Sequence, residues 1–511
     1  MSNNNQSDDG NLTCIPSEIC RLVAALLENC DIKNLRLVCR VLRDNFPLRI
    51  GRVFLSANPL NVQTFRSIAE HEVYRHGITE IVWDDAQLVA GLGQEEGEEM
   101  QQDQGYPSDE ENGHSAPRWF SLACRKNLGD ERSRKGVEER PAWRARMQQL
   151  EAQLPVHESW AIYQDLLRQQ QQVLADGSDI AALRYGLSRF PALRTITVTP
   201  AAHGYLFAPL YKTPMIRSFP YGFNYPIPHG WPMPRPEDLP YELRPWSVKA
   251  EREQWRGVSI ILRELAQQPY HRVNELLFNV HNVSTGVSSR ILEQPCEEYE
   301  NLAALLARPG FRSLDLSLLA DGDEDGAWGT LRNGRLHKAL AKATDLEYLH
   351  FRTETDFDQF DMPDQDFPRL RSLLPLEHWP KLQHLRLTKV LVDHDELLDV
   401  LISLPTSICT IELSHLRFME EGGDRGYQEL MRGLREDLDW RNLAPSQRPR
   451  LVVHADANGS RHFRYQDLDA EVNDFAYGQG DNPPGDMYAS PSAGAIRSAF
   501  EPELEVFTLH Y

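Results

Sequence analysis

Apolar positions at the start of the chain recur at helical spacing. Ile19, Leu22, Val23, Leu26 and Leu27 mark one helix face, and Pro16 suits its first residue because the missing N–H there would be unpaired anyway. Asn29-Cys30-Asp31 interrupts the stripe, and the Asp31 carboxylate is placed to cap a second helix. Ile32, Leu35, Val38, Cys39 and Leu42 carry the next stripe, which Pro47 ends. The spacing therefore predicts three short helices within residues 12–50. Such a unit is too small to bury its own apolar faces and must lean on a partner or on the rest of the chain. Ile15, Pro16, Ile19, Leu22, Leu26, Leu35 and Val38 are the residues this argument singles out.

After residue 50 the pattern becomes a recurring strand block. Leu-x-x-Leu-x-Leu-like blocks begin at Ile78, Leu193, Val273, Phe311, Leu346, Leu382 and Ile408. Their middle residues Leu276, Leu314, Leu349, Leu385 and Ile411 recur at intervals of 38, 35, 36 and 26. Each block predicts a short strand, with helix-like material between blocks, as in Asp395–Leu401. The arrangement resembles leucine-rich repeats, in which each strand-plus-helix unit needs its neighbour to cover its apolar side. The irregular period, longer than the usual ~20–29 residues, implies a degenerate arc. The competing reading is an ordinary α/β domain with a parallel sheet. Residues 51–90 form the first repeat-like unit, 151–470 the arc and 471–511 a C-terminal tail. Side chains alternate along a strand, so Asp315, Tyr348, His350, Arg386 and Glu412 face away from the leucines and are the candidate target-binding residues.

Two segments break this pattern. Residues 91–150 read as an acidic then basic low-complexity insertion. Its acidic part, through Gly113, cannot bury enough to repay its ordering entropy and is expected to be flexible. Beyond it, Glu158–Val173 reads as an amphipathic helix using Trp160, Tyr163, Leu166 and Leu167. The second break, residues 200–246, mixes many prolines with Tyr221, Phe223, Tyr225, Trp231 and Trp246. Proline forbids long regular elements, but so many aromatics argue for an ordered loop, packed on its own chain or offered to a partner.

Composition narrows the function. The 511 residues carry a formal charge of −21. That argues against a general nucleic-acid or anionic-membrane binder. The polar stretch Met1–Gly10 predicts no secretory leader, and the early apolar run Leu22–Leu27 is too short to cross a bilayer, so the cytoplasm or nucleus is expected. Seven cysteines, with no Cys-x-x-Cys among the early four, suggest free thiols rather than disulfides or zinc. Asp321–Gly326 opens like a calcium loop, but Arg332 occupies the position that needs a bidentate glutamate. No Walker loop, Gly-x-Ser-x-Gly elbow or His-Glu-x-x-His motif occurs. Paired acids at Asp84 and Asp85 end a strand, where acids are common. The expectation is a protein that is not an enzyme and needs no metal or cofactor.

Ile15-Pro16-Ser17-Glu18-Ile19 and the run Asp31-Ile32-Lys33-Asn34-Leu35-Arg36-Leu37-Val38-Cys39-Arg40 resemble the F-box. Continuing through Arg52–Ser56, Phe65–His71 and Ile81–Asp85, and again through Arg217–Pro220 and Tyr225–Pro232, the chain is similar to F-box proteins of filamentous fungi. It departs from the pattern by having Ile15 before the proline and Leu42 where tryptophan is frequent. The resemblance implies an α/β chain: a three-helix F-box followed by an irregular leucine-rich-repeat-like strand/helix solenoid. It further implies a substrate receptor of a Skp–cullin–F-box ubiquitin ligase. The seven residues named above would dock on the Skp-type adaptor, and through it a cullin, while the arc holds an unknown protein target. The alternative is an F-box scaffold outside any ligase.

Overall fold

The computed structural model describes residues 15–91, 116–132, 141–233, 243–268, 270–281, 283–320, 329–354, 368–419, 426–456, 464–481, 495–498 and 501–506. The acidic stretch beyond Gly91 and the Asp321–Gly326 loop lie outside them.

Nine parallel strands follow one another across a single sheet in chain order. They are β1 (Arg52–Leu55), β2 (Glu80–Asp84), β3 (Thr195–Thr199), β4 (Glu275–Phe278), β5 (Ser313–Leu319), β6 (Tyr348–Glu354), β7 (His384–Thr388), β8 (Thr410–Ser414) and β9 (Arg450–Val452). A two-residue strand, Val287–Ser288, adds beside the C-terminal end of β5. The order never reverses, unlike that of a doubly wound α/β sheet. The protein is thus mixed α/β with a mainly parallel sheet, and the apolar blocks explain its register. Val53, Ile81, Ile196, Leu276, Leu314, Leu349, Leu385, Ile411 and Leu451 stand side by side as one row. All nine are buried. Seven of them are the middle residues of the sequence blocks. A one-residue slip of any strand would turn its leucines to the polar face, so burial of this row sets the pairing.

Helices supply the other half of the core. They include α4 (Pro59–Glu70), α5 (Val156–Asp176), α6 (Ser178–Arg189), α7 (Arg256–Gln267), α8 (Glu297–Leu306), α9 (His394–Ile402) and α10 (Gly426–Glu436). Phe65, Leu183, Ile261, Leu302, Leu397 and Leu430 from these helices join the apolar rows of the sheet in one continuous cluster. Asn58 caps α4 by accepting from Leu60 N and Asn61 N, with Pro59 as its first residue.

A second, smaller core lies within the long β2–β3 connection and the segment after β3. Phe120, Cys124, Tyr163, Leu166, Met215, Phe223 and Tyr225 form it. Residues 118–132 and 141–151, inside the stretch whose charge reads as low-complexity, are helical. Trp119 and Phe120 meet Trp160 and Tyr163 edge-on in the first of them, so a few aromatics outweigh the surrounding charge there. The proline-rich segment packs on its own chain, with Phe223, Tyr225, Trp231 and Trp246 buried. The described part of the tail carries regular structure. Helix Asp469–Tyr477 buries Val472 and Phe475 in the main core. A four-stranded antiparallel sheet spans His454–Asp456, Arg464–Asp467, Ala495–Ser498 and Glu501–Val506.

Candidate functional site

The N-terminal unit holds three helices, α1 (Ser17–Leu26), α2 (Asn29–Val38) and α3 (Arg40–Asn45). Its own core is small: Cys20, Ala24, Ile32, Leu42 and Phe46 are buried. Arginines close its helix ends. Arg36 donates to the carbonyls of Arg43 (2.7 Å) and Phe46 (2.9 Å), and Arg49 donates to those of Ala25 (2.8 Å) and Leu27. Asn29 and Arg49 exchange a side-chain and a backbone hydrogen bond, which brings the end of the unit back to the start of α2. Two expectations are corrected here. Pro16 precedes α1 in extended conformation rather than opening it. Asp31 lies inside the first turn of α2, whose cap is Glu28 without a side-chain bond.

This fold leaves apolar side chains in water. Ile19, Leu22 and Leu26 recur along one face of α1 and are 46%, 65% and 89% exposed. Leu37 and Val38, at the end of α2, are 85% and 71% exposed, and Val41 on α3 is exposed as well. Of the seven residues singled out in the sequence, Ile19, Leu22, Leu26 and Val38 therefore face outward, as does Pro16. Ile15 and Leu35 are half-buried against the unit's own core. Leu37 and Val41 fall off the helical stripe Ile32, Leu35, Val38, Cys39 and Leu42, so the spacing alone does not mark them.

The second surface is the polar face of the sheet, formed by the residues between the leucines. One row runs Glu275, Ser313, Tyr348, His384, Thr410 and is half-exposed. The next runs Leu277, Asp315, His350, Arg386, Glu412. The five candidate target-binding residues thus come together on four adjacent strands. They are not equally open: Asp315 and His350 are buried, whereas Tyr348, Arg386 and Glu412 are half-exposed. Two segments reach over the deeper part of the face. Tyr211 packs with Val82 and Ala202. Arg352 donates to the carbonyls of His281 (2.6 Å) and Val283 (2.8 Å) and to Glu354 (2.7 Å).

Charges on this face are mostly matched. Arg52 pairs with Glu80 (2.6 Å) and Arg386 with Glu412 (2.8 Å), while Lys389 joins Arg352 on Glu354. Burial pushes Glu354 up, yet Lys389 and Arg352 outweigh it and hold its carboxyl below the usual range. His350 Nδ1 stands 3.0 Å from Asp315 Oδ2, and its Nε2 is 3.1 Å from Thr388 Oγ1. Burial lowers the His350 pKa despite Asp315, so the ring is neutral at pH 7.

Elsewhere the titratable groups serve the fold. Asp85 accepts from Trp83 Nε1 (3.1 Å), Trp231 Nε1 (2.8 Å) and Gly257 N (2.9 Å), joining β2, the proline-rich segment and the N-terminal end of α7. A Cβ on Gly257 would come 2.3 Å from Trp83 Nε1, so only glycine permits this approach. Asp84 is buried beside His203, 3.9 Å away, and burial pushes its carboxyl up to about 8. His454, Asp467 and Asp469 could surround a cation. Both carboxylates already bind arginines, Arg497 on Asp467 (2.7 Å) and Arg450 on Asp469 (2.8 Å), so the trio reads as an ion-pair network. Among the described residues, no helix is long and apolar enough to cross a membrane. Compared with protein-family models and with curated proteins, the chain shows no match.

Proposed function

We propose that the chain is the substrate-receptor subunit of a Skp–cullin–F-box ubiquitin ligase. Residues 15–49 act as the F-box, and the sheet with its helices acts as a degenerate leucine-rich-repeat arc that holds a protein target. The observation that carries the reading is the outward apolar stripe Ile19, Leu22, Leu26, together with Leu37 and Val38, on a unit whose own core has five buried residues. Burying one such side chain contributes ~1.5–3 kcal/mol, so a stripe of this size is a strong drive toward a partner. The unbroken chain order of nine parallel strands supports the arc, because each unit covers only its neighbour's apolar side. In this role the protein makes and breaks no bonds. It raises the effective concentration of a target beside a conjugating enzyme held elsewhere in the assembly.

The test is purification of the full chain from its own cells under native conditions. A Skp-type adaptor and a cullin, both lost on deleting residues 15–49, are the expected companions. An adaptor without any cullin would replace the ligase by an F-box scaffold.

A further inference from the structure

Among the carboxylates on the polar face of the sheet, Glu80, Glu354 and Glu412 each hold a cation. Glu275 and Asp315 do not: among the described residues no lysine or arginine pairs with either. Glu275 accepts from Thr195 Oγ1 (2.6 Å). Asp315 is 8% exposed, and its Oδ1 has no hydrogen-bond partner. His350 lies 3.0 Å away on the Oδ2 side, and the charge of Arg386 acts on the carboxylate from two strands away. A buried carboxylate oxygen without a donor is costly and needs an explanation.

Its surroundings share the deficit. Ser317 Oγ, two residues further along β5 on the same face, is buried without a partner, and so is His281 Nε2. His281 is held over the face through its backbone carbonyl by Arg352, and its ring meets that of Tyr211 edge-on at 5.6 Å. Burial lowers the His281 pKa to about 4, so the ring is neutral and one nitrogen can accept. Unmet polar atoms thus gather on this part of the face, Arg352 Nε and Arg386 Nε among them, although both guanidinium groups pair with glutamates, Arg352 with Glu354 and Arg386 with Glu412. The row in front, Ser313–Tyr348–His384, is half-exposed.

The geometry points to a recognition site for a basic side chain, lysine or arginine, of a protein segment laid along the half-exposed row. The cation passes Ser313 and Tyr348, reaches Asp315 Oδ1, and has Glu275 as its second negative neighbour. Diagonal neighbours on one sheet face lie within reach of a long side chain. Both side chains carry several donors for the waiting acceptors, and the Tyr348 ring offers an electron-rich face. The inference rests on the arc being the target-holding part of the receptor.

The test uses immobilised full-length protein and a synthetic library of N-acetylated, C-amidated dodecapeptides of balanced composition. Wild type is expected to enrich peptides with lysine or arginine at one dominant position. Asp315→Asn, which keeps the shape and removes the charge, is expected to lower affinity for a selected peptide at least tenfold. Glu275→Gln should give a smaller loss, and Glu300→Gln, on the outer side of α8, none. Thermal unfolding of each variant shows that the fold is kept; if Asp315→Asn unfolds, Glu275→Gln against Glu300→Gln decides. Absence of basic enrichment, or equal enrichment by the folded Asp315→Asn protein, overturns the proposal. Adaptor binding, measured on the same proteins, separates the two readings: its absence in wild type sinks the ligase reading and leaves the peptide result to stand or fall alone.

Discussion

Removing the Asp85 carboxylate should loosen three parts of the molecule at once. Its oxygens take the indole N–H of Trp83 on β2, the indole N–H of Trp231 in the proline-rich segment and the backbone N–H of Gly257 at the start of α7. Both indoles are buried, so water cannot replace the lost acceptor. Each buried donor left unmet costs ~1–3 kcal/mol, and Asp85→Ala leaves three, for a loss of ~3–9 kcal/mol before any cavity is counted. That is a large share of the ~5–15 kcal/mol that holds a typical domain. Asp85→Asn keeps one accepting oxygen but turns an amide N–H toward a donor, so a loss of ~2–3 kcal/mol is expected. Tryptophan fluorescence during urea unfolding reads the change, because two of the three donors are the reporters. Limited proteolysis should also cut residues 220–233 faster in Asp85→Ala than in wild type. An Asp85→Ala midpoint within error of wild type would refute the reasoning, and with it the view that this acid serves the fold.

Gly186 lies where α6 crosses α4, and a Cβ there would stand 2.4 Å from the Phe65 ring; Gly186→Ala should cost ~1–3 kcal/mol by overpacking, seen as a lowered melting temperature. Burial holds His203 and His271 neutral, with pKa values lowered to about 3 and about 4. The unfolded chain takes up these two protons below ~6.5, so stability present at pH 7 is lost as pH falls toward 4. The urea midpoint should drop steeply over that window, and His271→Gln should flatten the drop. Asp84 works in the opposite direction: its carboxyl, raised to about 8, keeps a proton that the unfolded chain releases, so its contribution falls as pH rises from ~4 to about 8. Asp84→Asn should therefore stabilise the protein more at pH 8 than at pH 5, and an equal effect at both would contradict a neutral Asp84.

The sheet was legible because its information is local. Ile81, Ile196, Leu276, Leu314, Leu349, Leu385 and Ile411 each sit at the same place in a short apolar block, and the parallel ladder lines them up. β9 escaped notice because Arg450-Leu451-Val452-Val453 lacks the leading apolar residue of the block. The helices at 118–132 and 141–151 were hidden by charge on either side. The first packs through Trp119 and Phe120 meeting Trp160 and Tyr163, which no local pattern announces. The rows of the polar face could be read by alternation, but their burial could not. Asp315 and His350 are buried, and Tyr211 and His281, remote from them in the chain, are near enough to act on the Asp315 charge. Asp85 looked like an ordinary acid at a strand end, since its partners Trp231 and Gly257 lie 146 and 172 residues away. Within the N-terminal unit, Leu35 and Val38 share one helical stripe, yet the turn into α3 buries part of the first and exposes the second.

The docking role of the N-terminal helices is the claim on which the functional reading turns, and titration calorimetry against a purified Skp-type adaptor tests it most directly. Leu22→Asp with Leu26→Asp changes two side chains that touch little of the unit's own core, so circular dichroism and melting temperature should stay as in wild type. The account predicts tight binding by the wild-type chain and a loss of ~3 kcal/mol or more, at least a hundredfold in affinity, for the double variant. Leu35→Asp should instead unfold the unit, since Leu35 packs against Ile32 and its neighbours inside. A folded double variant that binds the adaptor as tightly as wild type, or a wild-type chain that does not bind it, contradicts the account.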